Sequence, residues 1–351
     1  MADIKLVSQD GLFQSINGQA LPPNNEIIID SAGKPSVMVK IPKFKIGDVI
    51  TGGPSTTHPA FIVNGEEKDY IYISKYQNIV VDGKAYSLPY QQPKNYITFD
   101  QARTACESKG TGWHLMTNAE WAAIALWCKK HECMPYGNNN YEYGDYYHTY
   151  DRGAPMPYRE YYDPEDPEGG YDEYPLTATG SGPKDWFHNN DFSGIADLNG
   201  NVNEWVGGVR LNNGEIQIIA NNDAAQAIDQ SASSTLWKAI AQNGSLVAPG
   251  TAGALKYGSG SIVLGDYFKD MTAAGGVTIP ALAKALALFP ADESSTYRDD
   301  YFYTYDSGET LCYRGGFYLD YGGAGVFGCD LDGGRSDSDS CLGFRSAFVN
   351  L

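Results

Sequence analysis

Residues 1 to about 60 alternate apolar and polar positions in short runs. Ser36-Val37-Met38-Val39-Lys40-Ile41 is the clearest of these, and Pro22-Pro23, Pro42 and Gly52-Gly53-Pro54 interrupt the pattern. A period of two bounded by turn residues predicts strands, so this part reads as a small β-rich N-terminal module for attachment or oligomerisation. A further strand is predicted in "DYIYISKYQN" (69–78). "NIVVDGKAYSL" follows, with Asp82-Gly83 at its centre, a pair that tolerates the left-handed backbone of a tight hairpin. The period then changes. Thr98 with Gln101 and Thr117 with Glu120 each spell the S/T-x-x-E/Q capping box that opens a helix. In the second helix Trp121, Ile124, Ala125 and Cys128 recur at i, i+3, i+4 and i+7 and form one apolar stripe. Strand and turn sequence runs from there to the end, which predicts an α+β domain over about 61–351.

Two stretches interrupt that domain. Asn138 to Pro175 is Tyr-rich and acidic, including "YREYYDPEDPEGGYDEYP" (158–175), too aromatic for a plain linker and too broken by Pro and Gly for a helix. Residues from about 207 to about 300 read as an insertion: "NGEIQIIANND", then Ala-rich helical sequence in "VTIPALAKALALF", then acidic turns. No repeat of fixed period is visible.

The chain has 351 residues, 42% of them hydrophobic, enough to bury a sizeable core. Twenty-five Lys and Arg against 43 Asp and Glu leave a formal charge of −18, which repels nucleic acid and anionic membrane alike. No stretch approaches the roughly 20 apolar residues of a membrane span, so no membrane insertion is expected, and the N-terminus shows no basic region followed by an apolar run. Synthesis in a bacterial cytoplasm without an export signal is the expectation. Six cysteines (Cys106, Cys128, Cys133, Cys312, Cys329, Cys341) are too sparse for a disulfide scaffold and are expected to be mostly reduced.

Four segments together resemble a known family. "WHLMTNAEWAAIA" (113–125) resembles the R-L-P-T-E-A-E-W-E-x-A-A signature of the formylglycine-generating, sulfatase-modifying branch of the C-type lectin fold. "DLNGNVNEW" (197–205) resembles its D-x-x-G-N-V-W-E-W, with Asn203 in place of a Trp, and "YRGGFY" (313–318) and "LGFRSAF" (342–348) resemble its R-G-G-S-W and G-F-R. The resemblance spans about 69–351 and implies a C-type lectin-like fold of the formylglycine-generating type. Oxidases of that branch hold copper through two cysteines soon after the R-G-G motif, a soft-ligand site suited to Cu(I). Here the first cysteines after Arg314-Gly315-Gly316 are Cys329 and Cys341, in an unusual Gly/Asp/Ser stretch. The oxidase is kept as the alternative reading, and a non-enzymatic one is preferred.

The C-terminal frame, about 314–348, resembles the variable region of proteins diversified by retroelements, among them phage tropism determinants. In those systems template adenines are randomised, commonly in AAC or AAT codons. Changing the first two bases of such a codon never yields Lys, Glu, Gln, Met or Trp, and residues 317–345 contain none of the five. Arg314, Gly315, Gly316, Ala324, Val326, Leu331, Arg335, Ser336, Gly343, Phe344 and Arg345 read as framework. Phe317, Tyr318, Asp320, Tyr321, Phe327, Cys329, Asp330, Asp332, Asp337, Asp339, Ser340 and Cys341 read as the ligand-binding display. Tyr for broad amphipathic contact, with Ser, Gly and Asp for adaptable polar contact, is also the chemistry of antibody-type paratopes. The resemblance implies a phage or prophage tail protein that binds a host cell-surface protein or glycan, carried as a homo-oligomer such as a trimer. A static structural virion protein is the further alternative.

Other candidates have plainer readings. Asp197, Asn199, Asn201 and Glu204 offer oxygen ligands of the kind Ca²⁺ takes, but read first as a structural turn; no cofactor is required. Cys128, His131 and Cys133 in "CKKHEC" lack a second pair at zinc spacing and read as a helix end. The remaining histidines, His58, His114, His148 and His188, have no nucleophile motif to pair with, and no catalytic residue is expected. The Tyr cluster at 141–162 reads equally as a flank of the binding face or as packing across the core, and the row of Asp residues in the display reads equally as a solvated face.

Overall fold

The computed structural model describes residues 15–16, 19–144, 150–156, 176–258, 260–293 and 295–351. Sheets dominate it. A five-stranded sheet runs in the order Trp113–Leu115, Ser346–Phe348, Tyr70–Ser74, Pro35–Pro42, Asn25–Ile29. An eight-stranded sheet centres on Asn203–Asn212, Glu309–Gly315 and Gly325–Gly333. Among the described residues the α-helices are Ile46–Val49, Phe99–Glu107, Asn118–Lys130 and Ala281–Ala285.

The two predicted helix starts form as read. Thr98 and Thr117 each accept from the backbone N–H three residues on, and Gln101 and Glu120 reach back to the cap N–H. The hairpin forms as well: Ile79–Val81 pairs with Lys84–Tyr86 around Asp82 (φ 50°) and Gly83 (φ 73°). The Asn118–Lys130 helix is buried on nearly every side from Asn118 to Leu126, so it is a central element rather than a surface helix with one apolar stripe. Its Trp121 donates through Nε1 to the Val326 carbonyl at 2.8 Å, which fastens the helix to the Gly325–Gly333 strand.

Two expected boundaries are not boundaries in the fold. Within the proposed 1–60 module, Pro35–Pro42 pairs directly with Tyr70–Ser74, so the sheet runs through residue 60 without a break. The N-terminal residues before 15 lie outside the described residues. Within the proposed 207–300 insertion, Glu215–Ile218, Lys238–Ile240 and Leu246–Val247 extend the eight-stranded sheet as successive antiparallel neighbours. Ile216, Ile218, Ile240, Leu255, Phe268 and Tyr297 join the main hydrophobic core. The region is apolar where it meets that core, and so it packs as a layer of the domain. Only Ala281–Ala285 of "VTIPALAKALALF" is α-helical.

The chain end closes the structure. Leu342–Phe344 pairs in parallel with the start of the Asn203–Asn212 strand, and Ser346–Phe348 inserts between Trp113–Leu115 and Tyr70–Ser74. The final G-F-R-S-A-F segment thus ties the two sheets together, and the variable-looking residues before it must lie on a well-anchored frame.

Candidate functional site

The frame is held by buried charge. Arg345 is fully buried and grips Glu204 through Nε and Nη2, each at 2.6 Å, while its remaining donors reach the carbonyls of Ser74, Ala196 and Asp197. Gln77 adds a bond from Nε2 to Glu204 at 3.0 Å. Arg314, also fully buried, donates to Asn118 Oδ1 and the Ala287 carbonyl. Arg345 thus has both the counter-charge and the hydrogen bonds that a buried ion requires, while Arg314 has neutral acceptors only and its Nη1 is left without a partner. Gly315 and Gly316 take φ of 95° and 75°, and a Cβ on Gly316 would meet Ala324 Cα at 2.6 Å, so the turn that starts the display segment requires glycine. Of the other framework residues, Ala324, Val326, Leu331 and Phe344 are buried, Arg335 pairs with Glu309 and Asp100, and Ser336 is exposed.

The display positions divide by the period of the strand that carries them. Along Gly325–Gly333, Phe327, Cys329 and Leu331 point into the main core, while Asp330 and Asp332 point to the opposite face. Phe327 is fully buried against Phe268 and Tyr297, with centroids at 5.0 and 4.8 Å, and its N–H donates to the buried Asp300. Cys329 is buried with its Sγ 3.0 Å from that of Cys312, and burial pushes its thiol well above the usual range. Tyr318 (2% exposed) lies in a small cluster with Leu176 and Val202, and Ser340 is buried as well. These four are therefore not surface contacts as expected. Tyr321, Asp337 and Asp339 are exposed, and Phe317, Asp320, Asp330, Asp332 and Cys341 are half-buried. Asp320 closes a turn by accepting from the Phe317 N–H.

What the structure brings together is a cleft of about 480 Å³ at the open face of the eight-stranded sheet. Its lining includes Phe317, Asp330, Asp332, Asp337, Asp339 and Cys341 from the predicted display, with Tyr313 and Asn203 at the base. The base is rigid: Tyr313 pairs with Trp205 across the strands, the rings meet edge-on at 5.3 Å, and the Tyr313 hydroxyl donates to Asp332 at 2.6 Å. The wall is a turn that folds on its own acids. The Gly334 N–H donates to Asp337, Asp339 accepts from Ser340 Oγ, and Asn95 and the Tyr96 N–H hold the carbonyls of Ser340 and Asp339. Burial, followed by the charges of Asp320 and Asp332, pushes the Asp330 carboxyl up to about 8. The 139–141 loop borders the display segment: the Tyr141 N–H donates to the Tyr318 carbonyl, and the Tyr321 N–H to that of Asn139. The rest of the Tyr-rich stretch, residues 145–149 and 157–175, which includes His148, lies outside the described residues.

The Asp197–Glu204 segment is a hub of internal bonds. Asp197 accepts from the Gly180 N–H, and burial pushes its carboxyl up to about 6. Asn201 accepts from Asn138 and from the Thr177 N–H, Glu204 is held by Arg345, and the Asn199 amide donates to the Pro135 carbonyl. Each of the four thus faces a different protein partner. In "CKKHEC", the Cys128 and Cys133 thiols lie side by side and Cys128 donates to the His188 carbonyl, while His131 turns away to stack on Trp127, so the three side chains do not converge. Among the described residues no group of three or more His, Cys, Asp or Glu is arranged to hold a metal. Cys329 and Cys341, the pair considered for copper, lie apart, one in the core and one in the cleft. No described helix is long and apolar enough to cross a membrane.

The sequence reading overlooked two residues. Asp300 is buried under the display strand, its carboxyl pushed up to about 7 by burial, and nothing in its surroundings in sequence marks it. In the sequence Asn203 shows only as a departure from a motif, yet it is among the residues that line the cleft.

No family model matches the chain, and no curated protein sequence matches it. Solved structures similar to it include PvdO from Pseudomonas aeruginosa, at 14% identity over 94% of this chain and 99% of that one, with a TM-score of 0.34. Treponema denticola variable protein 1 aligns at 11% identity over 93% of this chain and 99% of that one, with a TM-score of 0.33. The P3c variant of the major tropism determinant aligns at 9% identity over 94% of this chain and 73% of that one, also with a TM-score of 0.33. Superpositions this loose carry no argument about function.

Proposed function

We propose that this chain is a non-enzymatic binding protein on a C-type lectin-like scaffold, and that the cleft formed by its C-terminal segment is its ligand site. The observation that carries this reading is the separation of roles within residues 314–345. Arg314, Gly315, Gly316, Phe344 and Arg345 are locked into buried contacts that fix the backbone, while Tyr321, Asp332, Asp337, Asp339 and Cys341 reach solvent or the cleft. A rigid frame that presents replaceable polar and aromatic residues is how recognition surfaces are commonly built. The composition of the segment fits diversification by a retroelement. The finer reading is therefore a phage or prophage tail protein that recognises a host cell-surface protein or glycan, displayed on an oligomer in which avidity strengthens weak single-site contacts.

Randomising Tyr321, Asp332, Asp337 and Asp339 in the full chain, and selecting the library against unrelated proteins and glycans, tests the reading. Most members are expected to keep the parental unfolding transition, and selection is expected to yield binders to several targets. Collapse of the fold across the library, or a folded library that yields none, overturns it. A structural virion protein corresponds to the second failure. Sequencing the DNA around the coding region tests the diversification itself. A reverse transcriptase and a near-copy of the 314–345 segment differing almost only at adenines are expected, and their absence leaves a static binder.

A further inference from the structure

We infer that the cleft takes a cationic side chain, a lysine ammonium or arginine guanidinium of a protein partner, between Asp330, Asp332 and the faces of Tyr313 and Phe317. This names the ligand chemistry of the site just proposed and rests on that reading.

The first observation is charge without a counter-charge. Four carboxylates line the cleft, and no lysine or arginine is among its lining residues. Arg335, the nearest framework cation in sequence, turns instead to Glu309, Asp100 and the Gln230 carbonyl. Of the four acids, Asp332 accepts from Tyr313, and Asp337 and Asp339 accept from their own turn. Asp330 accepts no hydrogen bond among the described residues, and burial beside Asp320 and Asp332 drives it towards its neutral form. A carboxylate in such a place is what an entering cation re-ionises.

The second observation is independent of the acids. Asn203 is 4% exposed and is among the residues that line the same cleft, and its carboxamide oxygen, itself shut off from solvent, has no hydrogen-bond partner. A buried acceptor left unpaired destabilises the site that holds it. A half-turn of the amide about its last bond would exchange that oxygen with the amide nitrogen, and at the cleft an N–H donor of the ligand would satisfy it. Ammonium and guanidinium groups carry several donors each, and both are attracted to aromatic faces such as those of Tyr313 and Phe317.

An organic cation fits better than a metal ion. Ca²⁺ needs six to eight oxygens converging at about 2.3–2.6 Å. The acids here spread around a 480 Å³ space, and two of them also accept hydrogen bonds within their own turn. The net charge of −18 would draw a basic partner towards the chain at low ionic strength.

The test uses the full chain and three capped tripeptides, Gly-Lys-Gly, Gly-Arg-Gly and the uncharged Gly-norleucine-Gly, followed by NMR at the Asn203 side-chain amide. The two basic peptides are expected to shift that signal saturably and at least tenfold more tightly than the norleucine peptide. The Asp330→Asn, Asp332→Asn double variant, checked for an unchanged fold by thermal unfolding, is expected to weaken them tenfold; if it fails to fold, Asp330→Asn alone serves. Equal binding of the norleucine peptide, or unaltered binding by the variant, overturns the inference. So does CaCl₂ at millimolar concentration producing the same shifts and displacing the peptides, which would mark a metal site. If the randomised library yields binders while the basic peptides leave Asn203 unmoved, the cation inference falls and the binding reading stands. If both fail, the reading itself has failed.

Discussion

Asn203 and Glu204 are adjacent on one strand and serve opposite faces of one sheet. Beneath the sheet, Glu204 is enclosed by Arg345 and Gln77, and Arg314 by Asn118 and a carbonyl, so polar groups removed from water are largely given partners within the chain. Above it, Asn203 keeps an unpaired oxygen, Asp330 has no donor among the described residues, and a 480 Å³ space remains open. Both faces carry charge. What separates them is whether the chain supplies the counterpart. The lower face is paired within the chain, Nη1 of Arg314 excepted, and holds the fold, whereas among the described residues the upper one leaves the Asn203 oxygen and Asp330 without a donor.

The largest break of this comparison comes from below. Glu204→Gln leaves the Arg345 guanidinium buried without its counter-charge, and removing one partner of a buried pair costs about 3–5 kcal/mol. Urea unfolding is expected to show a loss of that size or no folded protein at all; a loss under about 1 kcal/mol would mean that the lower face is not self-contained. Phe327→Ala comes next. Although Phe327 lies in the segment with variable composition, it packs between Phe268 and Tyr297, and the cavity is expected to cost about 3 kcal/mol in the same assay. A near-neutral result would return Phe327 to the display.

That case shows what the sequence made legible and what it did not. Capping boxes, the Asp82-Gly83 hairpin and the closing Gly-Phe-Arg were readable because each depends on a few adjacent residues with a fixed chemical job. The display was sorted by residue type, and type cannot tell the two faces of a strand apart. Period two can: Phe327, Cys329 and Leu331 alternate with Asp330 and Asp332 along 325–333, and applying it would have moved Phe327 and Cys329 to the core. The region from 207 to 300 was harder. Its strands are as short as two to four residues, too short to show a period, and their partners in the core lie far away in sequence. Asn203 and Asp300 matter through burial, which a single chain of letters does not record.

On the upper face the expected effects are smaller, and both have the opposite sign. Asp330 has a folded value of about 8 against an ordinary 3.8. The stabilisation from its extra proton affinity is full below about pH 4, declines as the pH rises and is gone above about 8. Asp330→Asn lacks that loss. Thermal unfolding from pH 4 to 8.5 should therefore show the variant gaining on the parent as pH rises, by about 1 kcal/mol at the top of the range once screening at a half-buried site is allowed for. A constant gap across the series would mean that Asp330 is not held neutral by its surroundings.

The smallest expected effect is the most informative about origin. Tyr321 is 43% exposed and sits at φ 50°, a left-handed conformation that an aromatic residue adopts only at some cost and that Asn adopts more readily. Tyr321→Asn should change stability by less than about 0.5 kcal/mol, and in the stabilising direction. It also places there the residue that an AAC or AAT codon encodes, the starting residue under the proposed diversification. If the position was built to be sampled, its backbone must accept Asn as the starting residue and any aromatic reached from it, and the strain of the aromatic is small enough to be offset by what it binds. A loss above 1 kcal/mol in the Asn variant would show that Tyr321 holds the turn, and the position would then belong with the frame below the sheet rather than with the incomplete face above it.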